Sequence, residues 1–228
     1  MRQPPLQRTV AEQVYEHVRQ TIHSGELVPG KRIDQAEVAR QFGSSIVPVR
    51  EALARLQADG LVRIVPHRGA FVEQMSPEDL AEVYQMRELL ESEAGGLAAA
   101  RLDDAAVADL AAIVQRMDEA TGREDYPALF ALNREFHFII YGAAGRRQLF
   151  QLIRQLWDQG DHYRRVYTES PERARTSLAE HRAILDACQR RDAAALSTII
   201  RYHVHQTIVG LSEYTRAATH ANAHDTFR

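Results

Sequence analysis

Residues 44–60, SSIVPVREALARLQADG, constrain the fold more than any other stretch of this chain. Val49, Ala52, Leu53 and Leu56 recur at helical spacing and form one apolar stripe, with Arg50 and Arg55 off that stripe toward solvent. Ser45 is placed to cap the helix by accepting from free backbone N–H groups. Pro48 falls in the first turn, where its missing donor matters little, and Gly60 supplies the stop. A shorter helix precedes it across the turn at Gly43, started by the capping pair Asp34 and Glu37, with Ala36, Val38, Ala39 and Phe42 apolar. Two helices joined in this way predict a helix-turn-helix. Residues 61–65 and 70–72, joined by the turn PHRG at 66–69, predict two short strands after it. The ensemble reads as a winged helix-turn-helix: the second helix enters the DNA major groove, and His67 and Arg68 at the wing tip touch backbone or minor groove.

Upstream, Thr9 and Glu12 form another capping box, and Val10, Val14, Val18 and Ile22 repeat every fourth residue to predict a first helix ending near Gly25. Residues 1–8 carry two prolines and no periodicity, which predicts a mobile lead-in, and GELVPGKRI reads as a turn-rich connection. After Glu73 the pattern changes. No strand alternation returns, and helices are predicted over 77–101, 104–120, 125–141, 146–167, 171–189 and 192–214, with starts marked by Ser76, Asp103 and Ser170. The polar stretch 218–228 reads as a frayed end. The expected fold is mainly α: a winged helix-turn-helix over 1–74 and an antiparallel all-α bundle over 75–228, whose ligand sites would be built from side chains projecting inward.

Charge bears on function only when divided at the wing. Through Gln74 there are 10 Lys or Arg against 8 Asp or Glu; the remainder has 18 against 23, for an overall −3. The basic excess lies in the unit read as DNA-binding, although affinity depends on charge clustered on one face rather than on a total. The net acidic balance disfavours a sequence-indifferent DNA-packaging protein. No apolar run approaches membrane-spanning length and MRQPPLQRT lacks a signal-peptide core, so a cytoplasmic protein is expected. Cys188, the one cysteine, sits on a predicted helix as a small buried hydrophobe.

In the helical part, Asn133 and His137 are spaced i, i+4 in LNREFHFII, on a face shared with Phe130 and Ile140 that points inward. His181 in LAEHRAIL and His203 in IIRYHVHQTIV also sit among apolar residues, where an imidazole needs a partner. Three histidines and an amide oxygen converging in a bundle can hold a divalent transition metal with positions left open; packing or surface histidines are the bland alternative for any one of the ten. His205, two residues from His203, faces away. Arg87 either pairs with a carboxylate ligand in a bundle cavity or makes an internal ion pair with Glu91 at i+4. Tyr84 and Tyr141 either lend hydroxyls to a pocket or pack.

With both halves laid out, the chain resembles the GntR family of bacterial transcription regulators, in its FadR-like subfamily with an all-helical FCD-type ligand-binding domain. The resemblance covers residues 9–214 and rests on PVREALARLQADGLV with the wing HRGAFV, then RELLE, NREFH, EH at Glu180 and His181, and RYH at 201–203. It implies DNA contacts by Ser44, Ser45, Arg50, Arg55, His67 and Arg68, and ligation of a metal such as zinc, nickel or manganese by Asn133, His137, His181 and His203. It further implies a small carboxylate effector at the metal, with Arg87 of RELLE beside it; Tyr84 and Tyr141, read from the residues, are the other candidates for the effector site. Many relatives have aspartate where this chain has Asn133, and a base-reading arginine where it has Ile46, followed by Val47 in place of a polar residue.

The leading expectation is a homodimer of ligand-responsive regulators on a palindromic double-stranded operator, with no membrane partner. A metal-dependent hydrolase is the rival. Glu135 and Glu180, the carboxylates beside the ligands in sequence, are expected to point elsewhere and leave no general base.

Overall fold

A computed structural model describes the backbone of residues 8–168 and 170–225, and side chains through residue 161, at 163 and over 170–210. The chain divides into two compact units, Met1–Met75 and Ser76–Arg228. The expected lead-in at 1–7 lies outside the described residues.

The first unit contains α1 (Val10–His23), β1 (Arg32–Ile33), α2 (Gln35–Gln41), α3 (Ile46–Ala58), β2 (Val62–Val65) and β3 (Gly69–Val72). Its helix starts are set locally. Thr9 closes a capping box with Glu12, and Asp34 accepts from the N–H groups of Ala36 and Glu37. Val14, Val18 and Ile22 of α1 meet Val49, Leu53 and Leu56 of α3 in one core, which Val38, Val62 and Val72 complete. The sheet corrects the sequence reading: it has three strands, in the order β1-β3-β2, all neighbours antiparallel. Arg32 and Ile33, read as part of a turn-rich connection, pair with Phe71 and Ala70 and so anchor the inner strand of the wing. Ser45 corrects it again, since it stands at the N-cap of α3 but makes no side-chain capping bond.

The second unit is all helical: α4 (Pro77–Ala99), α5 (Asp104–Gly122), α6 (Tyr126–Ala143), α7 (Arg147–Thr168), α8 (Pro171–Gln189) and α9 (Ala193–Asp225). Side-chain caps from Ser76, Asp103, Asp125 and Ser170 satisfy first-turn N–H groups that would otherwise be orphaned. α9 continues to Asp225, into the stretch 218–228 expected to fray; alanines at 217, 218, 221 and 223 favour helix there. The expected frayed residues 226–228 lie outside the described residues. α4 packs on α9, α6 and α7, while α8 packs on α5 and α9. Cys188 is fully buried, and burial pushes its thiol up to about 12, which leaves it in the unreactive protonated form.

α4 and α9 run antiparallel, with Glu88 beside His205 and Ser92 beside Arg201. Gly95 permits their close approach: a Cβ there would lie 2.5 Å from Ile200 Cδ1, whereas one at Gly96 would meet nothing closer than 3.6 Å. The two glycines should therefore respond oppositely to substitution. Gly96→Ala is expected to stabilise the unit by about 0.5–1 kcal/mol through helix propensity. Gly95→Val is expected to destabilise it by about 1–3 kcal/mol through overpacking against a buried isoleucine. Chemical unfolding of both variants reads the difference, and equal responses would mean that α4 and α9 are not in close contact at Gly95.

Candidate functional site

Helices α6, α8 and α9 each bring one histidine to the middle of the second unit. His137, His181 and His203 are 0%, 1% and 6% exposed, and one ring nitrogen from each lies within 4.8 Å of the others. The Nε2 atoms of His137 and His203 are 3.2 Å apart. Two nitrogens bound side by side to a transition metal at about 2.0–2.1 Å would be separated by roughly 3.0–3.4 Å, so this spacing suits a shared cation.

The outer nitrogens determine which way the lone pairs point. His181 Nδ1 lies 2.6 Å from the Ser177 carbonyl oxygen, which can only accept, so Nδ1 carries the proton. His203 Nδ1 donates in the same way to the Glu180 carboxylate at 2.6 Å. Tyr141 spends its one proton on Glu91 Oε2 at 2.5 Å, and its oxygen then accepts from His137 Nδ1 at 3.1 Å. In the neutral rings all three Nε2 atoms are therefore acceptors, as a metal requires. Asn133, one turn before His137, is 6% exposed, and its Nδ2 has no hydrogen-bond partner among the described residues. The two ends of an amide differ little in shape, so the same position can present an oxygen to a cation. These four residues fit a divalent transition metal.

Around them runs a continuous buried chain of polar contacts. Arg87 Nε donates to Glu91 Oε1 at 2.6 Å, and Trp157 Nε1 donates to the same oxygen at 2.8 Å. The guanidinium lies over the rings of Tyr84 and Trp157, at 4.5 and 4.3 Å. Burial works against its charge, but the neighbouring Glu91 outweighs this and raises the Arg87 pKa above its ordinary value. At the other end Arg173 forks onto Glu180 at 2.9 and 3.1 Å. Burial alone would raise the Glu180 pKa; hydrogen bonds from His203 and Arg173 bring it down to about 2.

Asn133 and His181 also line a small pocket of about 40 Å³ together with Arg173, Ser177 and apolar side chains such as Phe130 and Leu178. Tyr84, Arg87 and Tyr141 do not line it: Arg87 makes the internal ion pair with Glu91, and Tyr141 joins Glu91 to His137. Glu180 departs from expectation, since it is buried against His203 instead of pointing elsewhere. It neighbours His181 on α8, and only the packing of α9 against that helix brings His203 to it. Glu135 lies at the surface near Arg116, and His205 faces Glu88 on the outside, as their positions predict. Sequence reasoning also missed Trp157, Arg173 and Ser177, which carry no spacing signal linking them to the histidines.

In the first unit, the outward face of α3 carries Val47, Arg50, Glu51 and Ala54, all exposed, opposite the buried Val49, Ala52, Leu53 and Leu56. Ser45 is exposed just before it, and Ser44 Oγ donates to the Ser45 carbonyl at 3.2 Å. Arg55 is set about 140° around the helix from Arg50, and its guanidinium lies 4.6 Å over the Tyr15 ring. His67 and Arg68 are exposed at the wing tip, with His67 in the left-handed region at φ 61°.

A helix-turn-helix with a wing and a helical unit with a histidine cluster agree with two matched family models: "Bacterial regulatory proteins, gntR family" over residues 10–72 and "FCD domain" over residues 82–206. The chain belongs to the GntR family, with an FCD domain. Similar proteins include an HTH-type transcriptional regulator in an unstable DNA locus of Streptomyces ambofaciens, 30% identical over 86% of this chain and 83% of that protein. Escherichia coli McbR is 29% identical over 79% of this chain and 82% of its own length. A solved structure of McbR superposes with a TM-score of 0.81 at 26% identity, covering 91% of this chain and 99% of that one. The transcriptional repressor RspR of E. coli is 25% identical over 94% of this chain and 92% of its own length. This GntR-family chain is accordingly a transcriptional regulator of a DNA-binding class, and the families it matches are not enzymes. No helix among the described residues is long and apolar enough to cross a membrane.

Proposed function

We propose that this GntR-family regulator works as a homodimer on a two-fold operator and senses a small carboxylate at a divalent transition metal held by Asn133, His137, His181 and His203. The observation that carries the reading is the convergence of three buried imidazoles, each with a partner on its Nδ1 that leaves its Nε2 an acceptor. When bound, the metal supplies a positive charge and open coordination positions. Within the chain of contacts the charges already balance, Arg87 against Glu91 and Arg173 against Glu180, so a divalent cation adds charge that the site does not cancel. Asn133 contributes none, where aspartate would. An anionic ligand is thus favoured, and Arg173 and Ser177 beside His181 give the pocket a polar wall to receive it.

Residues 1–74 serve as the DNA-binding domain, with Ser44, Ser45, Arg50, Arg55, His67 and Arg68 facing DNA. Residues 75–228 bind the effector and dimerise. Exposed Met86 and Leu89 on α4, with Tyr202 and Val209 on α9, offer apolar surface for self-association. Repression is the action to test first, since RspR is named a repressor. For regulation the ligand must favour one of two dimer geometries.

A thermal-shift screen tests the sensor reading. Mono-, di- and tricarboxylates and sugar acids are compared on protein loaded with zinc, nickel or manganese and on chelator-stripped protein. An acid at a hundred times its dissociation constant should add about 2.7 kcal/mol, and only to the metal-loaded form. No response to any metal or acid would leave the helical unit as a dimerisation scaffold.

A further inference from the structure

Val47 is 68% exposed, the most exposed large hydrophobic side chain among the described residues. It stands in the first turn of α3, where the core takes Val49 and leaves Val47 outside. Arg50, Glu51 and Ala54 follow it at i+3, i+4 and i+7, so the four share one outward face. A face that combines an apolar end, a cation, a carboxylate and a small residue is poorly suited to phosphates, which would repel Glu51. It is suited to base edges, which offer donors, acceptors and one apolar group: the C5-methyl of thymine, presented only in the major groove.

We propose that Val47 is a specificity-determining residue that packs on a thymine methyl in each operator half-site. The proposal rests on the reading of α3 as the helix that enters the groove. Arg50 lies about 4.5 Å farther along the helix axis, a separation comparable to one base-pair step, and so reads a neighbouring pair. The small Ala54 lets the middle of the helix approach the groove floor.

The test begins with operator selection from a random duplex library by the full-length protein, followed by replacement of each selected thymine, one at a time, by uracil. Uracil keeps the hydrogen-bonding edge and removes only the methyl. One thymine in each half-site should be selected strongly, and its replacement should weaken binding about fourfold per half-site, the effect of exposing one methyl-sized group. Val47→Ala should bind the thymine operator more weakly by a similar factor and should no longer distinguish thymine from uracil. Arg50→Ala should bind more weakly yet keep the discrimination. A selected operator whose thymines can all be replaced without loss, or a Val47→Ala protein that stays as sensitive as the original, overturns the role of Val47 alone. Failure to enrich any sequence overturns the operator reading with it.

Discussion

Glu91→Ala is expected to destabilise the helical unit by about 3–5 kcal/mol, the cost of leaving a buried charge without its partner. Glu91 is fully buried and accepts from three donors: Arg87 Nε, Trp157 Nε1 and the Tyr141 hydroxyl. Alanine would take this acceptor from all three. Arg87, 3% exposed, cannot escape by losing its proton, because a guanidinium stays charged in any folded protein. The nearby rings of Tyr84 and Trp157 offer attraction but no acceptor. Urea unfolding followed by fluorescence of Trp157, the one tryptophan in the chain, reports directly on this region. The double variant Arg87→Met with Glu91→Leu separates charge from shape, since an apolar pair of similar volume should recover most of the loss. A loss below about 1 kcal/mol in Glu91→Ala would mean that water reaches Arg87 and that the ion pair is not part of the core.

The same region shows what the sequence could and could not convey. Helix starts were legible because caps act over three residues: Ser76, Asp103 and Ser170 bond N–H groups in the first turn of their own helices. The inward face of α6 was legible because Asn133 and His137, at i and i+4, share it with the apolar Ile140. The pairing of Arg87 with Glu91 was equally visible as a spacing, but choosing it over an effector contact required knowing that Trp157 and Tyr141 close on the same carboxylate. Partners from other helices are not legible in this way. Glu180 looks like an outward neighbour of His181 until α9 packs alongside and sets His203 against it. β1 escaped notice because two residues cannot show an alternation, and Ser45 was over-read because residue type predicts a cap only as a tendency.

Glu180 also decides how the proposed metal site should fail. His203→Ala removes a ligand and should strip the metal and the carboxylate response together, by a larger factor than any outer substitution. Glu180→Gln keeps the size of the side chain and an oxygen able to accept from His203 Nδ1, but loses the charge that makes His203 a better donor to a metal. Its expected effect is a 10- to 100-fold weaker metal affinity, typical of a partner that acts through a ligand. Tyr141→Phe makes the parallel cut at His137, removing the acceptor that holds its Nδ1 proton. Competition of the full-length protein against a chromophoric chelator measures all three. Graded losses, largest for His203→Ala, are the expected pattern. Should the original protein bind metal while His203→Ala binds it equally well, the three imidazoles are core residues and the effector must be sought without them. Should only the two outer variants match the original, the ligands stand and their orientation comes from helix packing rather than from Glu180 and Tyr141.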